Sequence, residues 1–78
     1  MEQKIKQDND IRIGENIRRI RKERGIGQTE LISKLQLIDV TMTRETLVKI
    51  ERGIQHIKAS QLRAIRDVLK TSYDELLQ

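Results

Sequence analysis

The side chains in this sequence that could do chemistry are recognition groups. In the stretch TRETLVKIERG, Arg44, Glu45 and Lys49 follow Thr43 and combine a planar guanidinium fork, a carboxylate and a mobile ammonium. A guanidinium can donate two parallel hydrogen bonds to a guanine edge or a phosphate, and a carboxylate can accept from the amino group of cytosine. A second concentration is cationic: Arg12, Arg18, Arg19, Arg21, Lys22 and Arg24 fall within one short segment. Nothing comparable exists for covalent or metal chemistry. There is no Cys, the lone His56 has no second metal ligand at useful spacing, and no Gly-rich phosphate loop occurs. No catalytic residue, metal or cofactor is therefore expected.

Composition narrows the scaffold that must hold these groups. A chain of 78 residues makes one domain, and with no Pro, Phe or Trp and one Tyr its core must come from Ile, Leu, Val and Met. That favours a small helical bundle over a sheet. The net charge of +4 favours an anionic partner, nucleic acid before a membrane surface. No apolar run could span a bilayer, and the opening MEQKIKQDND lacks the apolar region of a signal peptide. A cytoplasmic protein with no membrane partner is expected.

The periodicity predicts an all-α, compact bundle of five short helices. Residues 1–10 form a flexible N-terminal arm without usable periodicity, and 11–78 form the domain. Asp10 can cap a first helix whose Ile13, Ile17 and Ile20 make one apolar stripe, with Gly25 at its end. A second helix starts near Gln28, with Gly27 as a weak cap and Leu31, Ile32 and Leu35 on its buried face. Thr43 caps a third, in which Leu47 and Ile50 point inward and Gly53 stops the helix. A fourth runs from about Ser60 and buries Leu62, Ile65, Val68 and Leu69. Ser72-Tyr73-Asp74-Glu75 has the form of a capping box and opens a short fifth helix carrying Leu76 and Leu77. No stretch alternates long enough to predict a strand.

In order, Ile17-Arg18, Arg21, Gly25-Ile26-Gly27-Gln28, Leu31, Leu35, Ile50-Glu51-Arg52-Gly53, Val68-Leu69, Ser72 and Asp74 to Leu77 resemble the Cro/repressor-type (Xre-like, lambda-repressor-like) helix-turn-helix family over about residues 11–77. The resemblance implies a DNA-binding domain whose third helix enters the major groove while the second crosses the backbone. It further implies base contacts from Thr43, Arg44, Glu45 and Lys49, and backbone contacts from Gln28, Thr46 and Lys58. The residues matching Arg21 and Glu51 form a structural ion pair in the family. Blander roles stand beside several of these. Gln28 could be an ordinary surface residue at a helix start, and Thr46 likewise a surface residue. Glu45 could serve only the helix dipole, and Lys49 could reach a phosphate instead of a base. Of Arg18, Arg19, Lys22 and Arg24, on different sides of one helix, one or two reach the flanking backbone at most.

The sequence departs from the family between Leu35 and Thr43, where about five extra residues elongate the connection between helices 2 and 3. The family's turn carries a Gly, and Thr41 stands near that place. The segment from Gln36 to Met42 is expected to be a last helical turn plus a partly buried loop, with Leu37, Ile38 and Val40 packed against the core or a partner. The implied function is sequence-specific binding of double-stranded DNA by a transcriptional regulator of the repressor type. It would act as a weak homodimer through helices 4 and 5, using Tyr73, Leu76 and Leu77, unless these residues simply close the core. The alternative is an antitoxin or protein-interaction module on the same fold, with a protein partner.

Overall fold

Three isoleucines set the first helix. Ile13, Ile17 and Ile20 recur at helical spacing in α1 (Ile13–Glu23), and all three are fully buried. The computed structural model describes residues 4–5 and 12–78. Within them follow α2 (Gln28–Gln36), α3 (Arg44–Glu51), α4 (Ala59–Leu69) and the single turn α5 (Tyr73–Leu76). The helices close on one aliphatic core of residues including Leu31, Leu35, Leu47, Ile50, Leu62, Ile65, Leu69 and Leu76. Ile32 and Val68, expected inside, are only partly buried at its edge.

One backbone approach decides how α1 meets α3. Gly14 is buried against the end of α3, where a Cβ would overlap the Ile50 carbonyl oxygen. Only glycine allows the two helices to come this close. At the far side Asn16, also buried, donates from Nδ2 to the carbonyls of Leu76 at 2.9 Å and Gln78 at 3.0 Å. Residues sixty positions away are thereby fastened to α1.

Four helices end in the same hydrogen-bonded terminator, in which a residue in the left-handed region lets two later N–H groups reach back to the last turn. Gly25 (φ 68) and Gly53 (φ 77) serve α1 and α3, as expected. Asp39 (φ 62) and Lys70 (φ 54) serve α2 and α4. The left-handed position after α2 is therefore Asp39, not Thr41. Asp is among the few residues besides glycine that visit this region, because its short polar side chain can hydrogen-bond locally.

That terminator also corrects the expected packing of the connection. Asp39 N–H donates to Gln36 O and Val40 N–H to Leu35 O, both at 3.0 Å, so Val40 folds back towards buried Leu35. Val40 is partly buried and Met42 buried. Leu37 and Ile38 do not pack on the core, being 84% and 48% exposed. Leu37 lies about 200° round the helix from Leu35, on the opposite side.

Three further expectations change. Lys4–Ile5 (β1) pairs antiparallel with Ile57–Lys58 (β2), Lys4 opposite Lys58 and Ile5 opposite Ile57. A pairing of two residues leaves no alternation to read. The N-cap of α1 is Arg12, without a side-chain cap; Asp10, and the rest of the expected arm apart from Lys4 and Ile5, lie outside the described residues. Leu76 is fully buried and closes the core, so it cannot serve a dimer; Tyr73 and Leu77 stay exposed. Ser72 does cap α5, its Oγ accepting from Glu75 N–H at 3.2 Å. Among the described residues no helix is long and apolar enough to cross a membrane.

Candidate nucleic-acid interface

The exposed side of α3 is held by a buried polar joint at its inner end. Arg21 Nε donates to Glu51 Oε2 at 2.8 Å, and its Nη2 to Oε1 at 2.9 Å, a two-pronged pair with both residues buried. Arg21 Nη1 donates to the Ile26 carbonyl at 2.8 Å, in the turn before α2. Gln28 Nε2, in the first turn of α2, donates to Glu51 Oε1 at 3.2 Å. One carboxylate thus joins α1, the start of α2 and the end of α3. No buried side-chain nitrogen or oxygen among the described residues lacks a hydrogen-bond partner.

At the outer end, Thr43 caps α3. Its Oγ1 accepts from Thr46 N–H at 3.1 Å and donates to Thr46 Oγ1 at 3.0 Å. The hydroxyl is therefore committed to the helix. Leu47 and Ile50 are fully buried, while Arg44, Glu45 and Lys49 stand in solvent. Glu45 and Lys49 lie 3.7 Å apart across one helical turn. Such an exposed pair contributes little and opens easily.

Gln28 and Arg44 open onto one cleft of about 870 Å³ between α1 and α3, together with Val48 and Arg52. Thr43, Glu45, Thr46 and Lys49 do not line it, nor does Lys58. Lys58 is exposed at the entry to α4, where its N–H donates to Gln61 Oε1 at 2.9 Å. From sequence Val48 has no role, and Arg52 only a place in the family motif. The signal was present: positions 44, 48 and 52 recur every four residues along α3.

Arg24 takes a different task from the one considered for it. Its Nε donates to Leu69 O at 3.1 Å and its Nη2 to Lys70 O at 3.4 Å, so it covers carbonyls at the end of α4. His56 is exposed, and no cluster among the described residues could hold a metal ion. Arg66 has its pKa raised above the ordinary value, chiefly by its hydrogen bond to Asp67, with desolvation acting against it. Its guanidinium lies 4.5 Å from the centroid of the Tyr73 ring.

Residues 17–76 match the family described as Helix-turn-helix. No curated protein and no solved structure gives a significant match. The matched span runs from the middle of α1 to the last residue of α5, and so takes in the polar joint, the capped third helix and all of the cleft's lining but Glu15 and Asn16.

Proposed function

The chain belongs to the helix-turn-helix family of the Cro/repressor type (Xre-like, lambda-repressor-like), a family of DNA-binding regulatory domains, and from this we propose a sequence-specific transcriptional repressor. Its third helix enters the major groove of double-stranded DNA. The observation that carries this reading is the division of α3 into a buried side of Leu47, Ile50 and Glu51 and an exposed side of Arg44, Glu45 and Lys49. Arg44 grips guanine O6 and N7 with its fork, and Glu45 accepts from cytosine. Lys49 reaches a base one turn further along. Thr43, with its hydroxyl engaged in the cap, contributes its methyl group, which suits the methyl of thymine. Gln28, Thr46 and Lys58 contact the sugar–phosphate backbone, fixing register without reading sequence.

The repressor acts as a weak homodimer on two half-sites, with the exposed Tyr73 and Leu77 at the contact. A second reading, an antitoxin or protein-interaction module, is favoured by one observation: Leu37 and Ile38 are exposed side by side.

A salt titration of binding to a random-sequence duplex pool tests the primary reading. Log affinity should fall steeply with log salt, and selected duplexes should survive higher salt than the pool. No binding to any duplex at low salt would overturn it.

A further inference from the structure

Both ends of the α2–α3 pair carry apolar side chains that the core does not use. Gln28, in the first turn of α2, reaches Glu51 at the end of α3, and the connection after α2 leads to the start of α3. The two helices therefore run in opposing directions. Leu37 and Ile38, just past the end of α2, lie at one end of the pair; Ile54, just past the end of α3 and 64% exposed, lies at the other. The eight residues of α3 hold these ends at least about 12 Å apart, so neither covers the other within one molecule. Charge follows the same division. Asp39 adjoins Leu37 and Ile38, Arg52 adjoins Ile54, and both are exposed. Among the described residues neither has an opposite charge within ion-pairing distance. One end is thus apolar and acidic, the other apolar and basic.

We propose that these ends are the two halves of a head-to-tail contact between copies of this chain bound side by side along DNA. Leu37 and Ile38 of one copy meet Ile54 of the next, with Asp39 opposite Arg52. The proposal rests on the DNA-binding reading above. It differs from the two-fold contact through α5, because it joins unlike surfaces and repeats instead of closing. With α3 in the major groove, its two ends point along the groove towards the neighbouring copies. The molecule has principal extents of 31 × 30 × 21 Å, so a neighbour seated end to end lies about 9 base pairs on, at about 3.4 Å each. That is close to one turn of the duplex, about 10.5 base pairs, which keeps both copies on one face. Three apolar side chains bury far less than the roughly 1,200 Å² of a stable complex. The contact therefore forms on DNA, where the duplex supplies the concentration, and not in solution.

The test is a gel-shift titration of the full chain on duplexes carrying the half-site it selects from a random-sequence pool. The half-site is present once, twice in direct repeat at centre spacings of about 8–14 base pairs, or twice inverted. At one direct-repeat spacing the second copy should bind about tenfold more tightly than the first, within the usual range of coupling between sites. Leu37→Ser and Ile54→Ser should each remove this gain. Single-site affinity and the melting temperature should stay the same, since both side chains lie outside the core. A mixture of the two variants should regain part of it, because one intact junction still forms; a contact between like ends would stay broken. Asp39→Lys should also remove the gain, and adding Arg52→Glu should restore it relative to that variant's own single-site affinity. Lysine is accepted in this backbone conformation, as Lys70 at φ 54 shows. An undiminished gain in Leu37→Ser would overturn the proposal. So would cooperativity confined to inverted repeats, which would leave Leu37 and Ile38 to a different protein. Failure of the wild-type protein to bind even the single half-site would overturn the underlying reading as well.

Discussion

Arg21 and Arg44 carry the same guanidinium, and their surroundings give them opposite work. Arg21 is buried and spends its donors on Glu51 and the Ile26 carbonyl, so removing it leaves a carboxylate in the interior with only Gln28 beside it. Breaking a buried pair in this way costs about 3–5 kcal/mol. That is a large share of the stability of so small a domain, about 4–12 kcal/mol by per-residue scaling. Arg21→Ala should therefore lower the melting temperature sharply, and the double replacement Arg21→Met, Glu51→Leu should recover much of the loss. A thermal melt checks both, and an unchanged Arg21→Ala midpoint would show the joint to be dispensable. Arg44 stands in solvent, so Arg44→Ala should leave the melt alone and relax sequence preference at one position by about 1–3 kcal/mol. Gln28→Ala should weaken all duplexes together. Competition binding against a panel of single-base variants separates these outcomes. Arg21, Glu51 and Gln28 could be named from the sequence because family resemblance fixes their places. That all three share one carboxylate could not, because it depends on the rotation of α2 against α3.

The legibility of each helix end depended on which residue took the left-handed position. Gly25 and Gly53 announce themselves, because glycine adopts positive φ freely. Asp39 and Lys70 do not, and for that reason the sequence puts the turn after α2 near Thr41, two residues late, and does not separate Leu37 and Ile38, which face solvent, from Val40, which folds back on the core. The same physics makes a prediction for α4. Lys70 pays a steric penalty at φ 54 of about 1–2 kcal/mol, which glycine would relieve at some cost in chain entropy. Its side chain is exposed, and the interaction with Arg24 uses its backbone carbonyl. Lys70→Gly should therefore stabilise by about 1 kcal/mol and raise the melting temperature by about 4–8 °C. A lower melting temperature would mean that the lysine side chain contributes more than its strain costs. At Gly14 glycine is needed for space instead of conformation. The sequence pattern did not mark it, since a small residue on an apolar stripe looks ordinary until the facing carbonyl is known.

At the scale of the whole molecule, the last helix is taken up in closing the core, and that limits how two copies can meet through it. Leu76 is sealed inside, and Asn16 binds the carbonyls of Leu76 and Gln78, so α5 is part of the monomer's closure. What α5 leaves outside is Tyr73, with Arg66 stacked on its ring, and Leu77 at 38% exposure. A patch of this size is too small for a permanent dimer, for which interfaces bury well over about 1,200 Å². Two copies placed side by side on DNA need far less, because the shared duplex raises their effective concentration into the millimolar range. The free protein should therefore sediment as a monomer, yet bind a duplex with two correctly spaced half-sites cooperatively. Leu77→Glu should keep the fold, since Leu77 lies outside the core, and keep affinity for a single half-site. It should abolish cooperativity on the double site, by placing like charges opposite each other across the two-fold contact. Gel-shift titrations on single and double sites measure the difference directly. Cooperativity that survives Leu77→Glu would move the contact off α5, with exposed Leu37 and Ile38 as the next surface to probe.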